Sequence, residues 1–272
     1  MKRIITALDT GAEAHFLHVS DTHLTFADGR DDERKNLLAA KRSKLFPTAE
    51  SDFEEIMAAS RKEKLPVCHT GDLIDFVSEK NLDAARRFVA ECDLFFSAGN
   101  HEFSLYVGEA WEDAEYRSRS LARVNAAFSC DVRFSSRVIG GVNCVAIDNS
   151  YYLFDEDQLE KLKRETAKGL PTVLFMHTPL YEKKLYDVMM ARAECAYLCA
   201  APEELMKCYS EHRYRQQLAD GITLETVNFI KSSPNIKAIF AGHNHFDYEG
   251  LVTETLPQFV TGIGTVREVI LR

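Results

Sequence analysis

The sequence predicts an α/β protein in which β-structure is covered by helices, and two features of its patterning support this class. Short apolar runs of strand length alternate with longer stretches whose apolar residues recur near a period of 3.6, as on one face of a helix. No internal repeat and no Pro/Gly/Ser-rich linker interrupts this pattern. A chain of 272 residues with 46% hydrophobic content can bury one sizeable core, so we expect a single domain.

Nine apolar runs have the length and composition of strands. They are Ile4 to Leu8, His15 to Val19, Pro66 to His69, Asp93 to Phe96, Val142 to Ile147, Thr172 to Met176, Ile236 to Ala241, Phe259 to Gly262 and Arg267 to Leu271. Five stretches between them have helical periodicity, namely Thr48 to Lys64, Glu79 to Glu91, Gly108 to Phe128, Asp155 to Lys168 and Thr223 to Lys231. This alternation predicts strands packed against helices.

The least regular section is residues 179–234, which separates two strands that carry motifs. It reads as inserted helices that can form a cap or lid over a site. Half of the ten tyrosines lie in it, namely Tyr181, Tyr186, Tyr197, Tyr209 and Tyr214. Aromatic rings there can stack on a planar leaving group such as a nucleoside. Packing between amphipathic helices explains them equally well.

The composition is acidic, with 42 Asp and Glu against 33 Lys and Arg, and the excess is spread along the chain. Extended nucleic acids are expected to be weak partners, because their affinity depends largely on cationic contacts with phosphate. A small phosphorylated substrate is compatible with this charge, because bound metal ions reverse the field of an acidic cleft.

The first residues do not resemble a targeting or membrane segment. Only a short apolar run separates Met1-Lys2-Arg3 from Asp9, which is too short for a secretory or membrane-spanning segment. We therefore expect a cytoplasmic protein without a membrane partner. The seven cysteines form an odd, scattered set without a Cys-x-x-Cys pair, which favours reduced thiols over disulfides or a structural zinc site.

Polar residues able to bind metal ions follow five of the predicted strands. They are Ser20-Asp21-Thr22-His23, Gly71-Asp72, Gly99-Asn100-His101-Glu102, His177 and Gly242-His243-Asn244-His245. In open α/β sheets, ligands bind beyond the carboxyl ends of strands, so side chains far apart in sequence can meet in one crevice. Each motif alone has an ordinary explanation as a turn or a hydrogen-bonded polar residue. Their recurrence after five strands favours one shared site.

The residue types in these motifs indicate which ion such a site would bind. Asp21 and His23, like His243 and His245, are two positions apart, and in an extended segment such side chains point to the same side. Glycines that permit sharp turns and close approach precede the candidate ligands at Gly71, Gly99 and Gly242. Mixed imidazole and carboxylate ligands suit manganese, iron or zinc better than calcium or magnesium. The sequence therefore predicts a transition-metal site.

The ordered series of motifs resembles the calcineurin-like metallophosphoesterase family. It runs Asp21-x-His23, Gly71-Asp72, Gly99-Asn100-His101-Glu102, His177 and Gly242-His243-x-His245, and it spans nearly the whole chain. Each block is short, but the complete set in this order is specific. The resemblance implies a four-layer α/β fold of two mixed β-sheets packed as a sandwich and flanked by α-helices. It also implies one domain over residues 1–272, and the irregular section at 179–234 is expected to form a helical cap inserted in that domain.

The resemblance further implies a role for each matching residue. Two divalent or mixed-valence metal ions would lie about 3.5 to 4 Å apart, as in other two-metal phosphatases. One ion would be held by Asp21, His23 and His245, the other by Asn100, His177 and His243, and Asp72 would bridge the two. His101 would not bind metal. In the family pattern the histidine after the asparagine faces the scissile phosphate and assists the leaving oxygen.

The activity implied by the resemblance is hydrolysis of phosphate esters. A hydroxide bridging the two cations would attack phosphorus in line, because metal coordination lowers the pKa of bound water towards neutrality. His101 would donate a proton or a hydrogen bond to the leaving group, and no covalent enzyme intermediate is required. The substrate stays open at this point, since a phosphomonoester, a cyclic nucleotide, another phosphodiester or a pyrophosphate can use such a centre.

Some positions near the motifs require separate interpretation. Glu102 stands where aspartate is frequent in the family, and Thr178 stands where a second histidine often follows. Neither is a metal ligand in the family, so we expect altered hydrogen bonding around the site rather than lost metal. His18 and His69 lie within strand runs and are interpreted as core histidines. The charged stretch Asp28 to Lys44 favours a solvated helix face over phosphate binding.

Two other functions stay open from the sequence. The chain can be a binding scaffold that kept the fold and lost turnover, because a fold does not establish activity. A decayed scaffold is expected to lose metal ligands or the leaving-group histidine, whereas this chain retains all eight positions. The second alternative is a nuclease of the same superfamily, which is less favoured because the balance is acidic and no basic stripe is present.

Overall fold

The computed structural model has the predicted α/β architecture, with two mixed β-sheets and helices packed against them. It describes residues 1–108 and 114–272. The first sheet contains β1 (Lys2–Leu8), β2 (Ala14–Val19), β3 (Val67–His69), β4 (Leu94–Phe96) and β11 (Thr265–Leu271). Its strand order is β1-β11-β2-β3-β4. The strands β2, β3 and β4 are parallel, while β11 is antiparallel to β2 and parallel to β1.

The second sheet is built in the same mixed way. It contains β5 (Phe134–Ile139), β6 (Val142–Ile147), β7 (Thr172–Phe175), β8 (Ile236–Ala241), β9 (Tyr248–Leu251) and β10 (Pro257–Val260), in the order β5-β6-β7-β8-β10-β9. The strands β6, β7, β8 and β10 are parallel, and the edge strands β5 and β9 are antiparallel to their neighbours. The two mixed sheets flanked by helices that the family resemblance implies are confirmed.

Most helices connect consecutive strands. They are α1 (Glu33–Arg42), α2 (Ala49–Glu63), α3 (Glu79–Glu91), α4 (Ala114–Arg117), α5 (Leu121–Phe128), α6 (Glu156–Thr166), α7 (Lys183–Met190), α8 (Glu203–Met206), α9 (Glu211–Gln217) and α10 (Gly221–Ser232), with a short 3-10 helix at His101–Phe103. Polar side chains cap the N-termini of several of these helices. At α6, for example, Asp155 and Gln158 each bond the backbone N–H of the other in a capping box. No described helix combines the length and apolar character needed to cross a membrane.

All nine predicted strands are present, but two further strands were missed. Both β5 and β9 lie at sheet edges and are only partly buried, so neither has a continuous apolar run. The Gly140-Gly141 turn between β5 and β6 is a hairpin signal that would have revealed β5. The single helix predicted over Gly108 to Phe128 is wrong in its described part, because a turn separates α4 from α5. Residues 109–113 of that prediction lie outside the described residues.

The two sheets pack through an aromatic core. Phe16 on β2 contacts Phe175 on β7 and Phe240 on β8, with ring centroids 5.5 Å and 5.6 Å away in edge-to-face geometry. Phe240 also stacks on Phe175 and on Phe259 of β10, at 5.3 Å in each case. All four rings are buried. Because aromatic pairs combine large apolar area with specific geometry, this cluster fixes how one sheet lies on the other.

The two core histidines predicted from the sequence are confirmed. His18 and His69 are fully buried, and burial lowers the pKa of both, that of His69 to about 3, so both are neutral. His18 bonds the hydroxyls of Thr70 and Thr261, each at 2.9 Å. His69 bonds Thr22 and accepts from the Gly71 N–H, both at 3.1 Å. These contacts attach the strand ends of the first sheet to the loops beyond them.

Replacement of the central aromatic ring tests this description of the inter-sheet core. We expect Phe240→Ala to lower the free energy of unfolding by about 3–5 kcal/mol, because it removes a buried ring that contacts both sheets and leaves a cavity. Ile5→Ala, at a strand residue that is 67% exposed, is the control and should change stability by about 0.5 kcal/mol or less. If denaturant titrations gave the two variants the same loss in free energy of unfolding, Phe240 would not be a central residue of the core between the sheets.

Candidate metal centre

The motif residues lie in loops at one end of both sheets. The loops after β2, β3 and β4 belong to the first sheet, and those after β7 and β8 belong to the second. Neighbouring loops are hydrogen-bonded: Asp21 N donates to Gly71 O at 3.0 Å, and Gly242 N donates to His177 O at 2.9 Å. The Asp21 carboxylate also accepts from His243 N at 2.9 Å and so joins the two sheets. The five strand ends therefore converge on one crevice.

Two groups of donor atoms form in this crevice and share one carboxylate. The first group is Asp21, His23, Asp72 and His245, and the second is Asp72, His177 and His243. His23 Nε2 lies 3.1 Å from His245 Nε2 and 3.6 Å from Asp72 Oδ2. His177 Nε2 lies 3.3 Å from the same Asp72 oxygen and 3.0 Å from His243 Nδ1. Asp72 Oδ2 therefore faces both groups.

This donor set fits the two-ion centre that the resemblance implies. Nitrogen and oxygen ligands lie about 2 Å from a transition-metal ion, so two ligands of one ion are at most about 4 Å apart. In each group the donor atoms lie within 4.8 Å of one another, which requires only a small closure around an ion. The two groups contain only carboxylates and imidazoles, whereas the remaining predicted ligand, Asn100, has an amide side chain. Asn100 lines the same crevice as Asp72. All seven predicted ligands lie together, and their roles as ligands stay predictions.

The backbone of the ligand loops is left-handed at alternate positions. Five motif residues have positive φ, between 50° and 68°: Asp21, His23, Asp72, His243 and His245. The expectation that each pair two residues apart points to one side of an extended segment is therefore wrong. The left-handed residues turn these loops sharply, and both members of each pair still reach the crevice. Such conformations cost on the order of 1–3 kcal/mol each and persist only where their surroundings fix them.

Two of the glycines allow the loops to approach one another. A Cβ on Gly99 would lie 2.2 Å from Asp72 Oδ1, and a Cβ on Gly242 would lie 1.8 Å from Ser20 Oγ. Atoms cannot approach so closely, so any larger residue would displace a ligand loop. The close approach expected at these two glycines is confirmed.

Three histidines in the crevice have their outward nitrogen held by a neighbouring group. His23 Nδ1 donates to the Asp75 carboxylate at 2.9 Å, and His177 Nδ1 donates to the Thr70 carbonyl at 2.7 Å. His243 presents Nδ1 to the crevice, and its Nε2 is 2.8 Å from the hydroxyl of Tyr152, which is fully buried. Such partners fix the tautomer and the ring orientation of a metal-binding histidine.

Sequence reasoning missed Asp75 and Tyr152, and it misjudged Arg42. Arg42 bonds the buried Asp75 carboxylate through Nε at 2.6 Å and Nη2 at 2.8 Å, so the solvated-face interpretation of the charged stretch is wrong at this residue. The spacing Gly-Asp-x-x-Asp, which places a second carboxylate one short turn after Asp72, would have pointed to Asp75. Tyr152 has no comparable signal, because only the packing of α6 and its preceding loop brings it to His243.

His101 lies at the mouth of the crevice beside Asp72. Its backbone N–H donates to Asp72 Oδ1 at 2.9 Å, and its ring Nδ1 donates to the Asp75 carbonyl at 2.7 Å. Burial alone would lower the pKa of His101, but the Asp72 and Asp75 carboxylates outweigh it and raise that pKa. His23, Asp75 and His101 also form a compact group. Because Arg42 already occupies the Asp75 carboxylate, this third group does not fit a metal ion.

The two positions that depart from the family pattern take part in hydrogen bonds between side chains and backbone in different ways. The buried Glu102 carboxylate accepts from the N–H groups of Gly99 at 2.7 Å, Asp72 at 2.8 Å and Ile74 at 3.2 Å. Thr178 N donates to the Asn149 side chain at 2.9 Å. Glu102 therefore joins the loops after β3 and β4. The expectation that glutamate at this position alters the hydrogen bonding around the site stays a prediction.

The electrostatics of the crevice favour cations. Burial alone would lower the pKa of His177, but the Asp72 and Asp21 carboxylates outweigh it and raise that pKa to about 10. Burial raises the pKa of Asp72, but the adjacent histidines outweigh it and hold that pKa well below its usual range. Burial lowers the pKa of His245 to about 4. A negative potential strong enough to protonate a fully buried imidazole also attracts metal ions.

A pocket of about 280 Å³ opens over the donor groups, between them and the 179–234 section. Met189 of α7 and Tyr197 line it from that section. All five tyrosines of the section lie in or pack against one hydrophobic cluster, which also contains Met189 and other apolar residues of α7 and α8, so packing contributes to the position of each. Tyr197 lies nearest to the site, with its ring 5.9 Å from that of His243.

One solved structure supports the fold, and two others show a weaker likeness. A dimetal phosphatase from Danio rerio is 15% identical, with 92% of this chain and 88% of that chain covered at a TM-score of 0.51. A putative 5′-nucleotidase from Staphylococcus aureus is 15% identical, with 93% of this chain and 49% of that chain covered at a TM-score of 0.45. A phosphopantetheinyl hydrolase from Mycobacterium tuberculosis is 12% identical, with 93% and 91% covered at a TM-score of 0.44. At these identities the likeness concerns the fold alone.

Comparison at the level of sequence gives the family. No individual curated protein matches the chain. The family described as calcineurin-like phosphoesterase matches residues 14–247, a range that contains every motif residue from Asp21 to His245. The chain therefore belongs to the calcineurin-like phosphoesterase family and is a metal-dependent phosphoesterase.

Proposed function

We propose that this protein hydrolyses phosphate esters at a centre of two transition-metal ions, with manganese, iron or zinc as the ions best suited to its ligands. Asp21, His23 and His245 are proposed to hold one ion, Asn100, His177 and His243 the other, and Asp72 both. The observation that carries this proposal is the geometry of Asp72 Oδ2, which lies 3.6 Å from His23 Nε2 and 3.3 Å from His177 Nε2. One oxygen placed between two donor groups suits a bridging ligand.

The bound ions would supply Lewis acidity towards the phosphoryl oxygens and a nucleophile derived from water. The residues of the chain supply position. Asp75 and Arg42 hold His23, the Thr70 carbonyl holds His177, and Glu102 holds the loop that presents Asp72. These contacts fix the donor groups relative to one another, and a preorganised site of this kind can hold a substrate in a reactive position, which is a large part of catalysis.

His101 is proposed to assist the leaving group. Its Nδ1 is fixed on the Asp75 carbonyl, which leaves Nε2 as the nitrogen available to a substrate, and the residue lines the pocket beside Asp72. A histidine in this position can donate a proton or a hydrogen bond to the departing oxygen. Residues 179–234 are proposed to form a cap that supplies the opposite wall of the pocket.

Removal of the shared carboxylate tests the centre itself. We expect about two transition-metal ions per chain in elemental analysis of the wild-type protein and manganese-dependent hydrolysis of p-nitrophenyl phosphate or bis-p-nitrophenyl phosphate. Asp72→Asn should lower metal content and reduce the rate of hydrolysis by more than about 100-fold. This loss should be larger than that caused by replacing a residue that only hydrogen-bonds a metal ligand, which is typically about 10- to 100-fold. Asp157→Asn, on the exposed face of α6, is the matched control. Full metal content and full activity in Asp72→Asn would refute the proposal.

Replacement of His101 tests its role in departure of the alcohol. We expect His101→Ala to retain the metal ions and to slow hydrolysis of an alkyl phosphate ester by about 10² to 10⁴. The loss with a p-nitrophenyl ester should be smaller, because p-nitrophenolate departs without a proton. His212→Ala, at an exposed histidine, should match the wild type with both substrates. Equal losses with the two leaving groups would argue against proton or hydrogen-bond donation by His101.

The partner of His243 gives a test that does not depend on turnover. We expect Tyr152→Phe to weaken metal binding by about 10- to 100-fold, because the His243 ring loses the hydrogen bond that orients it. Competition of the protein with a chelator for manganese or zinc measures this directly. Tyr151→Phe removes a hydroxyl from the adjacent tyrosine, whose ring stacks 6.1 Å from Phe103, and should bind metal like the wild type. Unchanged affinity in Tyr152→Phe would exclude an orienting role.

A further inference from the structure

The pocket over the donor groups has two chemically different walls. One wall carries polar groups of the proposed centre, namely Asp72, Asn100, His101, His243, Asn244 and His245. The other wall is formed by Met189, which is almost entirely buried, and Tyr197, and both side chains are largely apolar. A group attached to the phosphate on that side would therefore meet largely apolar surface.

The apolar wall is attached firmly to the loops of the centre. Glu182, which caps the helix that carries Met189, accepts a hydrogen bond from the Tyr248 hydroxyl on β9. Arg192 lies over the ring of Phe246, one residue after His245, at 4.2 Å from the ring centroid. The wall is therefore a built part of the pocket, and its chemistry constrains what binds there.

The basic side chains near this pocket are engaged elsewhere. Arg42 holds the Asp75 carboxylate through two hydrogen bonds, and Arg213 lies over the ring of Tyr197 at 5.0 Å from its centroid. Among the described residues, no lysine or arginine lines the pocket. Residues 109–113, which lie outside the description, contain no lysine or arginine in their sequence. Apart from the metal-site histidines, the one basic group on the polar wall is His101, which is proposed to serve the leaving oxygen.

These features distinguish two kinds of phosphate ester. A phosphomonoester carries a charge of about −1.5 to −2 at neutral pH, with three terminal oxygens that basic side chains commonly bind. A phosphodiester carries about one negative charge, and its second alcohol replaces one of those oxygens with carbon-bearing surface. An apolar wall opposite the metal ligands, without lysine or arginine, suits the diester better.

We infer that the pocket selects phosphodiesters whose second alcohol is compact and apolar or planar, and that Met189 and Tyr197 bind this alcohol. The inference rests on the proposed function, because it concerns the substrate class of the same site. The volume of about 280 Å³ is at the small end for ligand pockets, so it suits one compact group and not a long polymer.

The wild-type protein provides the first test. We expect the kcat/KM of the manganese-loaded enzyme for bis-p-nitrophenyl phosphate to exceed that for p-nitrophenyl phosphate by about tenfold or more. Both substrates release the same p-nitrophenolate, so the ratio isolates the second ester group. A ratio of one or less, with hydrolysis of both esters, would overturn this inference and leave the proposed function in place. Two bound metals with no hydrolysis of any ester would overturn both.

A charge placed on the apolar wall provides the second test. Met189→Arg should bring a cation to the position of the second alcohol. It should therefore raise kcat/KM for the monoester and lower kcat/KM for the diester. The ratio of the diester value to the monoester value should fall by about tenfold or more. Val138→Arg adds the same charge on the edge strand β5, at a residue that is 53% exposed, and should leave the ratio unchanged. A thermal melt of each variant establishes that it is folded. An unchanged ratio of the two kcat/KM values in folded Met189→Arg would contradict binding of the alcohol at this wall. If Met189→Arg does not fold, Tyr197→Leu replaces it. We then expect a raised KM for the diester and an unchanged KM for the monoester.

Discussion

The position of the Asp72 carboxylate is the constraint on which the rest of the site depends. Its Oδ2 faces both donor groups, its Oδ1 accepts from the backbone of His101, and its own N–H donates to Glu102. These contacts come from the loops after β2, β4 and β7, so Asp72 can occupy this position only when several strands of both sheets are in place. The centre is therefore a property of the whole sandwich, because each donor group combines residues that follow strands of both sheets.

Such a site conflicts with stability in the absence of a cation. It buries several carboxylates and imidazoles together, and it holds five non-glycine residues in left-handed conformations. The surrounding structure compensates with specific hydrogen bonds: Asp75, Thr70 and Tyr152 hold the outward nitrogens of three histidines. The rigid aromatic core between the sheets lies directly behind these loops. The packed core thus supports strand-end loops whose backbone conformations are intrinsically unfavourable.

The polar wall and the apolar wall of the pocket come from different parts of the chain. The loops after β2, β3, β4, β7 and β8 carry the polar side chains of the crevice, because each begins where a strand of one of the two sheets ends. The 179–234 section is inserted between β7 and β8, so its helices can pack beside the loops without disturbing the sheet. Met189 and Tyr197 reach the pocket from this section. The two walls of the pocket therefore come from separate parts of the chain.

The sequence by itself determined the α/β class, the nine strands that contain apolar runs and the set of residues that meet at the strand ends, because apolar runs and strand-end motifs are local patterns. It did not reveal β5 or β9, whose partial exposure at sheet edges removes that pattern. Only the tertiary structure decided the left-handed turns at Asp21 and His23 and the contacts of Tyr152 and Arg42. Those features depend on hydrogen bonds between residues far apart in sequence, and no spacing along the chain encodes which distant groups will meet.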